Sequence, residues 1–137
     1  MDLKRYSQIS NEQFQQQLDK DTNHLLTKFK IKAKPWGTAR KAINLFLRDA
    51  LYNKYLSKNY KLDKVEPFLE LPLDSIVAKS LKKLSDNTKE LRYWPGLKHL
   101  TKEISQKYQN VAQKCATKQH LSKVHLDIIL WTENRLQ

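Results

Sequence analysis

Thr38-Ala39-Arg40-Lys41-Ala42-Ile43-Asn44-Leu45-Phe46-Leu47-Arg48-Asp49-Ala50-Leu51 is the stretch that decides the fold class. Ala39, Ala42, Ile43, Phe46, Leu47, Ala50 and Leu51 recur at helical spacing and predict one wide apolar face. Lys41, Asn44, Arg48 and Tyr52 fall on another flank. The pattern predicts a helix from about Thr38 to Leu56, with Phe46 in the core. Pro35 closes the linker before it, because a residue preceding proline avoids the helical region.

The same period recurs to either side. Ser10 with Gln13 three residues on has the form of a capping box, opening a helix over 11–30 with Phe14, Leu18, Leu25 and Phe29 as its stripe. Residues 60–70 read as a mixed connection. Asp74 is placed to cap a helix running to about Leu84, with Ile76, Val77 and Leu81 inward. The polar run Ser85–Thr88 predicts a loop, and Tyr93-Trp94-Pro95-Gly96 a break. Thr101 predicts a cap for a helix to about Ala116, burying Ile104, Tyr108, Val111 and Ala112. A last helix is expected over 118–136, with Leu121, Val124, Ile128 and Trp131 as one stripe. Strand-like alternation never runs beyond a few residues and glycine occurs only twice, so the expectation is an all-α, compact helical domain spanning 1–137.

Charge narrows the partners. The chain carries a formal net charge of +12, and Lys and Arg are spread along it, not gathered in a tail. A folded domain with such a field attracts polyanions, nucleic acid above all. Cys115 is the single cysteine, which excludes an internal disulfide and a cysteine-based zinc or iron–sulfur site within the chain. It is consistent with a reducing, cytoplasmic setting. No apolar run follows the first charges as in a signal peptide, and Ile128-Ile129-Leu130-Trp131 is too short to span a bilayer. Nothing in the sequence calls for a cofactor, a metal or a membrane.

Two segments carry candidate chemistry. The turn Lys34-Pro35-Trp36-Gly37-Thr38 feeds a helix start, where free amides can receive a phosphate oxygen and where Lys34, Arg40 and Lys41 add positive charge. An ordinary inter-helix turn with solvated lysines has the same pattern. The second segment is Leu71-Pro72-Leu73-Asp74-Ser75-Ile76-Val77-Ala78. A lysine amine attacks only after losing its proton, and lysine ordinarily titrates near pH 10.4, so burial or nearby positive charge has to help. The helix start and Arg40 supply such charge to Lys41. Asp74 brought beside it takes up a proton or stabilises positive charge developing on a sugar. A structural salt bridge plus a helix cap would use the same two residues. Of the aromatics, Trp131 reads as core because it lies on an apolar stripe. Trp94, in its Pro-Gly break, reads as the better partner for an extruded base.

Taken together, Pro35-Trp36-Gly37-Thr38-Ala39-Arg40-Lys41-Ala42-Ile43-Asn44 resembles the helix-hairpin-helix turn and following basic stretch of the helix-hairpin-helix DNA glycosylase superfamily. Leu71–Ala78 resembles that superfamily's downstream aspartate segment, with Ile76 where a histidine often stands. Asp74 follows Lys41 by 33 residues, similar to the archaeal 8-oxoguanine glycosylase branch. The resemblance implies a Schiff-base lysine at Lys41, a catalytic carboxylate at Asp74, and DNA contacts from Lys34, Trp36, Gly37, Thr38, Arg40 and Trp94. It implies a damaged or modified base, such as 8-oxoguanine, flipped from duplex DNA and cleaved from its sugar, with a lyase step able to cut the strand. A non-enzymatic basic DNA-binding module, architectural or regulatory, is the alternative.

Overall fold

The computed structural model describes residues 1–30, 32–85, 91 and 93–136, the last four by backbone alone. Residues 86–88 of the expected loop and the Arg135 side chain lie outside that description. Among the described residues the chain is all-α, with six α-helices, short 3-10 turns and no strand. The helices are α1 (Asn11–Lys28), α2 (Trp36–Tyr52), α3 (Lys54–Tyr60), α4 (Ser75–Leu84), α5 (Lys102–Lys118) and α6 (Leu126–Leu136).

Local chemistry sets the helix ends. The capping box at α1 is complete: Ser10 Oγ accepts from Gln13 N, and Gln13 Oε1 accepts from Ser10 N. The helix stops at Lys28, two residues short of the expected end, and Lys34 Nζ reaches back to donate to Leu26 O (3.3 Å) and Phe29 O (2.9 Å). The long helix expected over 38–56 is broken at Asn53, which ends α2 in an extended conformation. Its Oδ1 then accepts from Tyr55 N and Leu56 N, capping α3. The expected helix 118–136 also splits. His120 turns left-handed (φ 58°), Leu121 N donates to Ala116 O and His120 N to Thr117 O. This is a Schellman ending, built on histidine instead of glycine.

Two apolar clusters form the interior. Tyr6, Phe14, Leu18, Ile43, Leu47 and Val65 centre one, and Leu71, Val77, Leu81, Tyr108, Leu126 and Leu130 the other. The α2 register differs from the expected one. Ile43, Leu47, Ala50 and Leu51 are buried, but so are Arg40 and Asn44, while Ala42 is exposed and Phe46 is 43% exposed. The cause is a polar network on that side of α2. Arg40 Nε donates to Glu70 Oε1 (2.9 Å), Nη1 to Thr22 Oγ1 (2.8 Å) and Nη2 to Asp19 Oδ1 (3.0 Å). Asn44 Nδ2 adds a bond to Glu70 Oε1. Phe46→Ala should therefore cost under about 1 kcal/mol, as for a surface site, whereas Phe14→Ala should cost about 3–5 kcal/mol; urea melts of the two variants check this.

Gly37 has a packing role that its place in the turn did not announce. It lies buried inside the first turn of α2, not in a hairpin loop. A Cβ there would sit 2.5 Å from Leu97 O and 2.7 Å from Leu100 Cβ. The Leu97–Leu100 segment thus packs into the space that a side chain would take. Gly37→Ala should destabilise the fold by about 1–3 kcal/mol despite alanine's better helix propensity, because the obstructing atom is backbone; thermal melting followed by circular dichroism reads the loss.

Candidate active site

An open cleft of about 430 Å³ is lined by residues of α2, of α6 and of the segment leading into α4. From α2 it takes Lys41, Leu45 and Arg48, which recur at i, i+4 and i+7 and so share one face. From α6 it takes Asp127, Ile128, Trp131 and Thr132, and from the intervening segment Pro72 and Asp74.

Lys41 and Asp74, apart in sequence, face each other here. Lys41 Nζ lies 3.9 Å from Asp74 Oδ2, with both side chains partly exposed to the cleft. The other carboxylate oxygen of Asp74 is committed: Oδ1 accepts from Val77 N at 2.8 Å, capping α4. The cap fixes the side chain and leaves Oδ2 for the lysine. The segment that presents Asp74 is pinned as well. Gln109 Oε1 accepts from Leu71 N (2.9 Å) and Gln109 Nε2 donates to Leu71 O (2.8 Å).

Arg48 and Asp127 form a second cation–carboxylate pair in the same cleft, joined by a hydrogen bond from Arg48 Nη1 to Asp127 Oδ2. Burial lifts the Asp127 carboxyl above the usual carboxylate range, with the Arg48 guanidinium acting against it. A carboxyl raised on folding contributes stability that is full below its unfolded value near pH 3.9 and is lost as the pH rises through the folded value. Asp127→Asn should therefore gain stability relative to the parent as the pH goes from about 4 to about 7; parallel urea melts at the two pH values read the sign.

The other expected contacts are distributed differently. Arg40 is held inside by its carboxylates, and the Trp36 ring lies over its guanidinium at 5.1 Å, so neither faces the cleft. Lys34 is the cap of α1 described above, and Thr38 is exposed in the first turn of α2. Trp94 packs edge-on against Tyr108 (5.2 Å) and lines no part of the cleft. The aromatic that does is Trp131, expected in the core and found 36% exposed, with Ile128 at 55%. The break at His120 is the reason: α6 buries Leu126 and Leu130 and turns Ile128 and Trp131 outward. Asp127 and Arg48 carried no motif in the sequence; only the shared α2 stripe with Lys41 pointed toward Arg48.

Beyond the cleft, Tyr52, one turn past Arg48, stacks on His125 (5.6 Å, 12°), and its Oη lies 2.8 Å from His125 Nδ1. His125 Nε2 lies 3.1 Å from Glu66 Oε1. Among the described residues no group of three or more His, Cys, Asp or Glu is arranged to hold a metal, and no helix is long and apolar enough to cross a membrane.

No protein-family model, curated protein or solved structure matches this chain.

Proposed function

We propose that the chain is a DNA glycosylase acting through a lysine Schiff base, with Lys41 as nucleophile. The observation that carries the reading is the 3.9 Å approach of Lys41 Nζ to Asp74 Oδ2 at an open cleft with an aromatic wall. The net charge of +12 supplies attraction for the duplex. A modified nucleotide turned out of the stack enters between Lys41 and the Trp131–Ile128 wall, where an indole face suits a base. The neutral Lys41 amine attacks C1′, the C1′–N bond breaks, and the base leaves with its electron pair and is protonated through Asp74 by the proton that the attacking nitrogen loses. Asp74 stabilises the positive charge that develops on the sugar and takes up the proton lost by the attacking nitrogen. The nitrogen lone pair then breaks the C1′–O4′ bond, and with the remaining nitrogen proton passing to O4′ the opened sugar is left as an imine between Lys41 and C1′. Loss of the 2′ proton from that imine expels the 3′ phosphate and cuts the strand.

Borohydride reduces the imine to a stable amine, so it should fix the protein to abasic duplexes and to at least one duplex of a modified-base panel. A gel shift resistant to denaturant is the expected result. Absence of an adduct on every duplex, with binding that weakens steeply as salt rises, would replace this reading by a non-enzymatic DNA-binding module. The distributed positive charge favours that second reading.

A further inference from the structure

Lys41 also borders a second and far smaller space, about 10 Å³, walled by Asn44, Ser105, Gln109, Arg40 and Leu73. Asn44, Ser105 and Gln109 are all buried. The orientation of Asn44 is fixed, because Nδ2 donates to Glu70 Oε1 (3.0 Å), an oxygen that also accepts from Arg40 Nε. The amide oxygen therefore faces away from that carboxylate. It is buried and meets no donor among the described protein atoms. Buried amide oxygens in native proteins are paired in the large majority of cases. A space of about 10 Å³ admits one water-sized sphere, and a buried water needs about two to four polar partners. Asn44, Ser105 and Gln109 supply polar groups to its wall, namely Asn44 Oδ1, a hydroxyl and the second Nε2 hydrogen of Gln109, and Lys41 borders it.

We propose that this space is a site for one ordered water, and that Asn44, by holding it, is a positioning residue for Lys41. Asn44 sits one turn beyond Lys41 on α2, where i and i+3 side chains are neighbours. A neutral amine has two N–H bonds and one lone pair in a tetrahedral arrangement. In this proposal one N–H turns to the water while the rest of the amine faces the cleft, where Asp74 Oδ2 lies 3.9 Å from Nζ. The water site stands independently of any reaction; its consequence for catalysis rests on the reading of Lys41 as nucleophile.

Two variants test it. Asn44→Leu removes the acceptor at similar volume, and circular dichroism melting reports whether it folds. Ser105→Val fills the space without touching Asn44 or Glu70. A crystal structure of the parent protein should show a water within hydrogen-bond distance of Asn44 Oδ1. Reductive methylation by formaldehyde and cyanoborohydride, read by peptide mass spectrometry, should slow at Lys41 in Ser105→Val by on the order of tenfold. That is a modest share of the ~10²–10⁴ that a positioned proton partner contributes. Exposed Lys58 should react at an unchanged rate and serves as the internal control. No water at Asn44, or an unchanged rate at Lys41, overturns the proposal. A water and slowed methylation without an imine on any DNA would support the water site and overturn the glycosylase reading. An imine on DNA without the water would do the reverse.

Discussion

Lys41→Gln should abolish the borohydride-trapped adduct, lowering the trapping rate by about 10³-fold or more, while the protein stays folded and bound to DNA. The size follows from the chemistry: a side-chain amide has no basic lone pair to attack C1′, and no second group stands in for a missing nucleophile. Folding should be little affected, because Lys41 is partly exposed and its ion pair with Asp74 is a loose 3.9 Å contact. The companion variant is Asp74→Asn. Asparagine is as good a helix cap as aspartate, so the bond to Val77 N survives and stability should change by no more than a few tenths of a kcal/mol. The charge beside Lys41 is lost, and base release should fall by about 10²-fold or more. A purely structural Asp74 would give the opposite pattern: normal trapping in Asp74→Asn, and a loss confined to the stability of Asp74→Ala.

Arg40→Leu should be the most destabilising single substitution on α2, costing about 3–5 kcal/mol in urea melts, with Glu70→Leu similar. The two side chains are buried and bonded to each other, and each anchors further partners: Asp19 and Thr22 of α1 on one side, Asn44 on the other. Removing one leaves the other charge uncompensated away from water. The double variant Arg40→Leu/Glu70→Leu should cost well below the sum of the singles, since it leaves no orphan charge between them. A cost of less than about 1 kcal/mol for Arg40→Leu would mean that the guanidinium is solvated and free to meet phosphate.

Arg40 also shows why the sequence was legible only in part. Its neighbours repeat with a helical period, so the presence of α2 could be read directly. Which way that helix faces depends on Glu70 and Asp19, 30 and 21 residues away, and no local pattern records their arrival. Assigning polar residues outward turned Phe46 inward by default. Caps were legible where the donor and acceptor are close in sequence, as at Ser10, Asp74 and Thr101. The helix end at His120 was not, because a left-handed histidine carries a weaker signal than glycine. That missed break hid Ile128 and Trp131 in an imagined core and left Trp94 as the favoured aromatic. Gly37 was noticed for its conformational freedom, but its missing side chain is what the fold uses, under Leu97 and Leu100. The pairing of Lys41 with Asp74 was expected from the order of two short segments alone, and the Leu71–Gln109 clamp that presents Asp74 left no trace in the sequence.

Peptide mapping of the borohydride-reduced complex is the most direct measurement. The protein is trapped on a duplex bearing its modified base, digested with protease and nuclease, and sequenced by tandem mass spectrometry. The sugar remnant should be found on the Lys41 nitrogen and on no other amine. A remnant on a different lysine, or on the terminal amine, would contradict the account even if an adduct forms.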